Sequence, residues 1–295
     1  MDNTLYGSQW LSSVDELIKL ALKEDVGDGD HSTLACIPAD AQRKAKMVAK
    51  AEGVLCGAEI GERVFHLVDS SLKVTLLKND GDLLHVGDIV MTVEGHAGSI
   101  LTAERTALNY MQRLSGIATQ THRMVEMIAG LHTQLLDTRK TTPNMRLLEK
   151  YAVKCGGGTN HRIGLYDMIM LKDNHVDFAG GIEQAIDRTR DYLSKNGKNL
   201  KIEIEVRNDD ELNEALATEI PDRIMLDNYT PERTREAVKT IREWEKTHRK
   251  MEIESSGGIT IDTLRDYALT GVDFVSVGAL THSYKSLDMS FKAVK

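Results

Sequence analysis

The residues from 137 to 175 concentrate positive side chains in a chain that is acidic overall. This segment holds seven Lys and Arg residues against four Asp and Glu residues, whereas the whole chain has a formal charge of −8. Four of these cations lie in loops or at the ends of predicted strands: Arg139, Lys140, Arg162 and Lys172. Guanidinium groups match carboxylates and phosphates in shape, and Lys supplies a point charge. The segment therefore predicts a site for an anionic small molecule.

The other three cations of this segment follow a helical spacing. Arg146, Lys150 and Lys154 lie four residues apart, which predicts one solvated helix face. The glycine run 156–158 could simply end that helix. The His-Arg pair at 161–162 provides two donors directly after the glycines and favours a binding loop instead.

Two carboxylates and two glycine turns complete the candidate chemistry. Backbone N–H groups beside small residues can wrap a phosphate, and the last two strands of a (β/α) barrel commonly lead into such a site. The residues with this pattern are Ser256, Gly257, Gly258, Val277, Gly278 and Ala279. Glu205 and Asp227 end neighbouring predicted strands, and beside a phosphate they suggest Mg²⁺ or ribose hydroxyl binding. An ion pair with the nearby cations is the alternative, and both can hold at once.

Several common catalytic motifs are absent from the sequence. It contains no GxxxxGK(S/T) phosphate loop and no GxGxxG dinucleotide fingerprint. It also lacks HExxH and GxSxG. These absences weaken the NTPase, dehydrogenase, zinc peptidase and serine hydrolase interpretations.

The candidate residues follow apolar runs that alternate with helical stretches, clearest at 231–249 and 261–270. The predicted strands are Thr133–Asp137, Met168–Lys172, Ile202–Val206, Arg223–Asp227, Met251–Ser255 and Asp273–Val277. Repeated βα units predict a parallel sheet with crossover helices. Polar chemistry at the end of every unit favours a barrel, in which the carboxyl ends of the strands form the active face.

The first third of the chain has an α+β pattern. We predict a helix at 10–23, a loop at 24–33, a small antiparallel sheet within 44–95 and a helix at 99–114. Gly116 is a plausible helix stop, so the domains are predicted as 1–116 and 117–279. The path of residues 280–295 stays open, with packing on the N-terminal domain as one alternative.

Composition excludes several function classes. The 295 residues are 41% hydrophobic, 28% charged and 5% aromatic. A net negative charge argues against a general nucleic-acid or membrane-surface binder. No apolar run approaches the ~18 residues of a membrane span, and Met1–Thr4 lacks the basic and apolar regions of a signal peptide. We therefore expect a cytoplasmic protein with no nucleic-acid or membrane partner.

The chain has three cysteines, Cys36, Cys56 and Cys155. Their odd number, wide spacing and lack of a CxxC pair argue against a disulfide framework or a thiolate zinc site. We expect three small buried hydrophobic side chains in a reducing compartment.

Taken in order along nearly the whole chain, these motifs resemble the quinolinate phosphoribosyltransferases, also called nicotinate-nucleotide pyrophosphorylases (carboxylating). The stretches that carry the resemblance are Ala21–Asp30, Ala103–Asn109, Asp137–Pro143, Lys150–Arg162, Leu171–His175, Glu203–Glu205, Leu226–Asn228 and Ser256–Ile259. A minor departure is Ser255, where the family more often has a smaller apolar residue.

The resemblance implies an α/β protein with an N-terminal α/β open sandwich and a C-terminal incomplete (β/α) barrel of the TIM type. It implies a homodimer, with a hexamer left open, in which each sandwich covers the partner's barrel mouth. The implied activity is that of a nicotinate-nucleotide diphosphorylase (carboxylating) in de novo NAD biosynthesis. Such an enzyme joins quinolinate to 5-phosphoribosyl-1-pyrophosphate with Mg²⁺ and releases nicotinate mononucleotide, pyrophosphate and CO₂.

The resemblance also implies residue roles. Quinolinate would be bound by Arg139, Thr141, His161, Arg162 and Lys172, with Arg105 reaching in from the partner subunit. Phosphate and ribose would be bound by Lys140, Glu205, Asp227, Ser256, Gly257, Gly258, Val277, Gly278 and Ala279, with Mg²⁺ near Glu205 and Asp227. The catalytic candidates are Lys140, Lys172, Glu205 and Asp227.

Two alternatives remain at this stage. The first is a related phosphoribosyltransferase that acts on another pyridine carboxylate. The number of cations in the site distinguishes it from an enzyme for quinolinate, because a monocarboxylate would leave one Arg unpaired. Residues 79–95 also resemble the glycine-aspartate turns of biotinyl or lipoyl carrier domains. No Lys lies at a hairpin tip there in a Met-Lys-Met context, so we interpret this stretch as scaffold.

Overall fold

A computed structural model describes residues 9–294 of the chain. Residues Met1–Thr4, on which the expectation of no signal peptide depends, lie outside this range. The chain forms two compact units. Unit 1 comprises the described residues of Met1–His122 and Ser283–Lys295 together with Thr142–Gly157, and unit 2 comprises Arg123–Thr141 and Gly158–His282. The predicted division at residue 116 differs from this one mainly in assigning 142–157 to the barrel.

The elements alternate along the chain in a mixed α/β pattern, which confirms the predicted class. The helices are α1 Gln9–Val26, α2 His31–Cys36, α3 Ala58–Val68, α4 Ala97–Met127, α5 Arg146–Cys155, α6 Asp173–Ala179, α7 Ile182–Lys195, α8 Asp209–Ala217, α9 Pro231–Trp244, α10 Leu264–Ala268 and α11 Ala279–His282. The strands are β1 Gln42–Ala49, β2 Gly53–Val54, β3 Lys73–Leu76, β4 Leu83–Leu84, β5 Ile89–His96, β6 Gln134–Leu136, β7 Ile169–Leu171, β8 Ile202–Val206, β9 Arg223–Asp227, β10 Glu252–Ser256, β11 Phe274–Ser276 and β12 Met289–Ala293.

Unit 1 contains a four-stranded antiparallel sheet in the order β12-β1-β5-β3. In β1 the residues Ala45, Met47 and Ala49 are buried and alternate with more exposed ones, because successive side chains of a strand face opposite sides. The predicted small antiparallel sheet is confirmed. The C-terminal strand β12 belongs to it, since it pairs with β1 along five residues.

Unit 2 contains six parallel strands in the order β6-β11-β10-β9-β8-β7. All six predicted strands are confirmed, and a parallel bridge joins Leu136 to Thr159 beyond β6. The arrangement is that of an incomplete (β/α) barrel. Because every strand runs in the same direction, their carboxyl ends meet at one edge of the sheet. No helix within residues 9–294 is long and apolar enough to cross a membrane.

Several local predictions are wrong. The loop predicted at 24–33 is shorter, since α1 continues to Val26 and α2 begins at His31, where Asp30 accepts the Thr33 N–H at 3.1 Å. Helix α9 ends at Trp244 rather than 249. Lys150 is fully buried, so the helix face that it shares with residues 146 and 154 is not wholly solvated. Cys36 is exposed, in contrast to the buried Cys56.

Gly116 does not stop a helix, because α4 continues through it to Met127. A Cβ at this position would overlap the carbonyl oxygen of Lys285 and lie 2.9 Å from the Cα of Ser286. Within unit 1, the glycine allows the backbone of the C-terminal segment to lie against α4. The residue is explained by close packing and not by helix termination.

We predict that Gly116→Ala lowers the free energy of unfolding by about 1–3 kcal/mol, because the backbone of residues 285–286 must move to accommodate the methyl group. Chemical denaturation measures this change. Gly98→Ala in the same helix is the control, since its Cβ would meet only side-chain atoms at 3.1 Å or more. A Gly116→Ala variant as stable as the wild type would contradict the packing argument, since alanine is otherwise favoured within a helix.

Candidate active site

The carboxyl ends of the parallel strands in unit 2 surround a cavity of about 680 Å³. Twelve of the predicted site residues line it: Arg139, Lys140, His161, Arg162, Lys172, Glu205, Asp227, Ser256, Gly257, Gly258, Gly278 and Ala279. The edge of a parallel sheet thus brings together residues that lie up to 140 positions apart in the chain. A cavity of this size holds a small ligand.

Three predicted site residues are not in this lining. Val277 is buried and its N–H donates to the Leu136 carbonyl at 3.0 Å, so the sheet already uses the group that was predicted to face a phosphate. Thr141 is half-buried outside the lining. Arg105 lies exposed on α4 in unit 1. The predicted substrate contacts of Thr141 and Arg105 stay predictions.

The lining also contains residues that the sequence analysis did not single out. They are Thr138, Met170, Asp173, Met225, Asn228, Glu254, Ile259, Thr260, Ser276 and His282. Thr138, Asp173 and Asn228 lie one or two residues after strands, so the rule that selected their neighbours would have found them. Glu254 and Ser276 lie within strands, and their inward direction follows only from the register of the sheet. For His282 the sequence carried no signal.

The loop that carries His161 and Arg162 is held by a buried carboxylate at the end of β6. Asp137 is fully buried and accepts the His161 N–H at 2.8 Å and the Asn160 Nδ2 at 2.6 Å. Thr159 continues this attachment, since its N–H donates to the Leu135 carbonyl at 2.8 Å. The glycines before this loop therefore lead into a fixed segment that presents Arg162 to the cavity.

Four cations lie at the rim of the cavity, and we call them the rim cations: Arg139, Lys140, Arg162 and Lys172. They differ in the groups that they already contact. Arg162 Nη1 donates to the Met168 carbonyl at 3.2 Å, and Lys172 Nζ pairs with Glu205 Oε2 at 3.0 Å. Lys140 is exposed. Arg139 Nε is buried and, within the described part of the chain, has no hydrogen-bond partner. A buried donor without a partner is costly, so Arg139 is well suited to an anionic ligand.

Glu205 and Asp227 end adjacent strands β8 and β9, in which Glu205 lies beside Met225. Burial raises the pKa of Asp227, although Asn228 donates to it at 2.6 Å and Lys172 and Lys140 oppose the effect. A carboxylate in this state gains from a nearby cation. The two side chains offer the hard oxygen donors that Mg²⁺ prefers, and one oxygen of Glu205 already contacts Lys172.

The turn after β10 approaches Asn228 closely. Gly257 has φ +99° and Gly258 has φ +61°, both in the left-handed region that favours glycine. A Cβ on Gly257 would lie 2.8 Å from the backbone nitrogen of Asn228, and one on Gly278 would lie 2.9 Å from Cδ of Lys140. Only glycine keeps this part of the cavity open, which is the usual property of a phosphate-binding turn.

A buried acidic cluster lies deeper in unit 2. Glu203 and Glu254 are fully buried, and both approach His161 Nε2, at 3.0 and 3.2 Å. Arg223 Nη1 lies 3.1 Å from Glu254 and 4.0 Å from Glu203. Burial and the charge of Glu254 raise the pKa of Glu203 to about 7. Burial opposes a charge on His161, but the two carboxylates outweigh it and raise its pKa to about 9.

His161 connects the loop to the buried acids through its two ring nitrogens. The backbone N–H of Arg162 lies 2.7 Å from His161 Nδ1, and Nε2 lies 3.0 and 3.2 Å from the carboxylates of Glu203 and Glu254. His161 and Glu203 titrate as a pair, and we expect the pair to release its protons as the pH rises through about 7 and about 9.

A cavity with convergent cations, a carboxylate pair and a glycine turn at the carboxyl ends of barrel strands defines a class of enzymes that bind phosphorylated small molecules. Two family models identify the family within this class. The model "Quinolinate phosphoribosyl transferase, C-terminal domain" matches residues 117–292, and the corresponding N-terminal domain model matches residues 30–115. The chain belongs to the quinolinate phosphoribosyltransferase family.

Individual relatives agree with this assignment. The chain is 43% identical over 267 residues to a probable nicotinate-nucleotide pyrophosphorylase (carboxylating) of Bacillus subtilis, covering 90% of this chain and 89% of that protein. A chloroplastic nicotinate-nucleotide pyrophosphorylase (carboxylating) of Oryza sativa is also 43% identical, and the match covers 94% of this chain and 76% of that protein. The structure of the Francisella tularensis enzyme superposes with a TM-score of 0.89 at 40% identity, over 96% of each chain.

We predict that the free energy of unfolding falls as the pH rises from 6 to 9. Glu203 and His161 hold their protons more tightly in the folded chain than in the unfolded chain, where their pKa values are near 4.5 and 6.5. Their stabilisation is therefore complete at low pH and is lost as the pH rises through about 7 and then about 9. Each unit of pKa difference corresponds to about 1.4 kcal/mol.

Chemical denaturation at several pH values tests this dependence. Glu203→Gln should flatten the slope, because it removes one titrating group and one of the carboxylates that act on His161. Glu236→Gln, an exposed position on α9, should leave the slope unchanged. A wild-type stability that is constant or rises over this range would contradict the assignment of protons to the cluster.

Proposed function

We propose that this protein transfers the phosphoribosyl group of 5-phosphoribosyl-1-pyrophosphate to quinolinate and releases pyrophosphate and CO₂. The product is nicotinate mononucleotide, and the reaction is a step of de novo NAD biosynthesis. The observation that carries the proposal is the cavity in unit 2, where Arg139, Arg162 and Lys172 line the same space as Glu205 and the Gly257-Gly258 turn. The names of the family relatives support it.

The charge of the cavity fits a dicarboxylate. Quinolinate carries two adjacent carboxylates, and each can accept from a guanidinium group in paired hydrogen bonds. Arg139 and Arg162 supply two such groups, and Lys172 adds a third cation. A monocarboxylate such as nicotinate would satisfy fewer of these donors, and a buried donor left without a partner costs about 1–3 kcal/mol.

Other residues of the same cavity fit an activated sugar phosphate. The backbone around Ser256–Gly258 and Gly278–Ala279 binds the 5-phosphate, and Lys140 holds phosphate or pyrophosphate oxygens. Glu205 and Asp227 bind the ribose hydroxyls and would hold Mg²⁺, which neutralises pyrophosphate charge when bound. We propose these roles because carboxylate oxygens and the backbone of glycine turns line the cavity.

The reaction needs positioning and charge stabilisation more than a covalent nucleophile. Glu205 and Asp227 stabilise the positive charge that develops at C1′ as pyrophosphate leaves. Bond formation makes the pyridine nitrogen cationic, and this charge stabilises the carbanion that remains at C2 when CO₂ departs. C2 then takes up a proton from water, which gives nicotinate mononucleotide. Arg139, Arg162 and Lys172 hold the ring so that its nitrogen faces C1′.

A second copy of the chain completes the site in this proposal. Arg105 lies exposed on α4 and would reach into the partner's cavity of a homodimer as a further cation for quinolinate. The predicted cytoplasmic location stays a prediction, and relatives from plants include proteins named as mitochondrial and chloroplastic.

We predict that calorimetry detects much tighter binding of quinolinate than of nicotinate. Adding 5-phosphoribosyl-1-pyrophosphate and Mg²⁺ to the quinolinate complex should release CO₂ and form nicotinate mononucleotide. Arg139→Ala should reduce kcat/KM by about 10–150-fold, because a hydrogen bond to a charged group is worth roughly 1.5–3 kcal/mol and each 1.4 kcal/mol is about a factor of ten.

Arg188→Ala is the matched control, since Arg188 lies exposed on α7 outside the cavity. It should keep wild-type turnover. Preference for nicotinate without CO₂ release would instead support a related phosphoribosyltransferase and would overturn the proposed substrate. Unchanged kcat/KM in Arg139→Ala would remove that residue from the site.

We also predict that the double variant Glu205→Ala, Asp227→Ala loses activity that additional Mg²⁺ cannot restore. Both oxygen donors for the metal and the ribose are then absent. Steady-state rates across a Mg²⁺ titration measure this, and circular dichroism confirms that the variant is folded. Recovery of the wild-type rate at high Mg²⁺ would show that the carboxylates only raise metal affinity, and undiminished activity would make them structural.

A further inference from the structure

Unit 1 contains a second cluster of ionisable groups, formed by Cys56, Asp80, Tyr151 and Cys155. One ligand atom each of Cys56, Asp80 and Cys155 lies within 4.8 Å of the other two. Cys56 is fully buried, and the other two are half-buried. The two cysteines are far apart in sequence, which argued against a thiolate site, but the fold brings their sulfur atoms together.

Three elements build this cluster. Cys56 immediately precedes Gly57, the N-cap of α3, and Asp80 lies between β3 and β4. Tyr151 and Cys155 are four residues apart on α5, so they lie on the same helix face. The positions are set by secondary structure and by the turn that Gly57 allows with φ +93°.

The cluster has the supporting hydrogen bonds that metal-ligating carboxylates usually have. Asp80 Oδ1 accepts the Ala58 N–H at 2.8 Å, and Oδ2 accepts the Tyr151 hydroxyl at 2.7 Å. Such partners orient a carboxylate and leave its remaining lone pairs for a cation.

We propose that Cys56, Cys155 and Asp80 form a structural binding site for a thiophilic divalent cation such as Zn²⁺. Two sulfurs and one carboxylate oxygen are ligands that Zn²⁺ accepts, and Tyr151 or a water completes four-coordination. Hard cations such as Mg²⁺ prefer oxygen ligands and are excluded by the two sulfurs. The site joins the N-terminus of α3 to the C-terminus of α5 within unit 1, and it is independent of the proposed reaction.

The test uses the full chain, stripped with a chelator and kept reduced. Titration with Zn²⁺ against a chromophoric chelator should show one equivalent bound per chain. Titration with Co²⁺ should produce thiolate-to-metal charge-transfer absorption in the near ultraviolet. Cys155→Ser should weaken Zn²⁺ binding by at least about tenfold, because loss of even a second-shell partner costs about 10–100-fold. Zn²⁺ should raise the melting temperature of the wild type but not of this variant.

Cys36→Ser is the matched control, since Cys36 is exposed and lies outside the cluster. It should bind Zn²⁺ as the wild type does. Cys155→His keeps a zinc ligand at the same position and should retain binding with a weaker charge-transfer band. This variant separates ligation from folding. Binding well below one equivalent, a Co²⁺ complex without thiolate absorption, or equal loss in Cys36→Ser would overturn the proposal.

Discussion

The pairing of buried charges below the rim of the cavity is the constraint on which the architecture of unit 2 depends. The carboxylates of Glu203 and Glu254 lie beside His161 Nε2 and the guanidinium group of Arg223. Two acids and two basic groups therefore balance one another inside the barrel when His161 is protonated. Each of these charges is tolerable only because the others are present. Removing one partner of a buried pair leaves an uncompensated charge, which typically costs about 3–5 kcal/mol.

Strand geometry connects this buried layer to the cavity. Side chains two residues apart on a strand face the same side, so Glu203 lies one layer below Glu205 on β8. The same alternation puts Glu254 one layer below Ser256 on β10. Both layers border the cavity, since Glu254 and His161 line it together with the rim residues. His161 links the layers, since its ring contacts the buried acids and its backbone leads to Arg162.

Much of the barrel could be predicted because its signals are local. A polar residue follows each apolar run, and parallel strands necessarily end at one edge, so residues such as Lys172 and Asp227 are brought together by topology alone. The buried layer could not be predicted in this way. Whether an acidic residue within an apolar run faces the barrel interior is known only from the register of the strands. In the sequence, Glu254 has the same pattern as an acidic residue on the exposed face of a strand. The same limit applies to Ser276.

Packing overrides local signals in unit 1 as well. Glycine often ends a helix, but Gly116 lies within α4. Its lack of a side chain allows the backbone of residues 285–286, far along the chain, to pack against the helix. Lys150 follows the spacing of a solvated helix face and is nevertheless buried. The separation of Cys56 and Cys155 in sequence likewise carries no information about the distance between their sulfur atoms. In each case the deciding contact is long-range, and only the tertiary structure contains it.

Lys172 occupies a central position in the proposed reaction because an ammonium group has three donors. One of them reaches Glu205 at 3.0 Å, which places the Lys beside the ribose-binding carboxylates. The remaining donors can reach a carboxylate of quinolinate without breaking that ion pair. In the proposed reaction, Lys172 would contact quinolinate directly and the sugar only through Glu205, and it would thereby set the distance between the pyridine ring and the sugar. A guanidinium group at this position would hold a carboxylate in a planar pair and could not bridge two acids in different directions as readily.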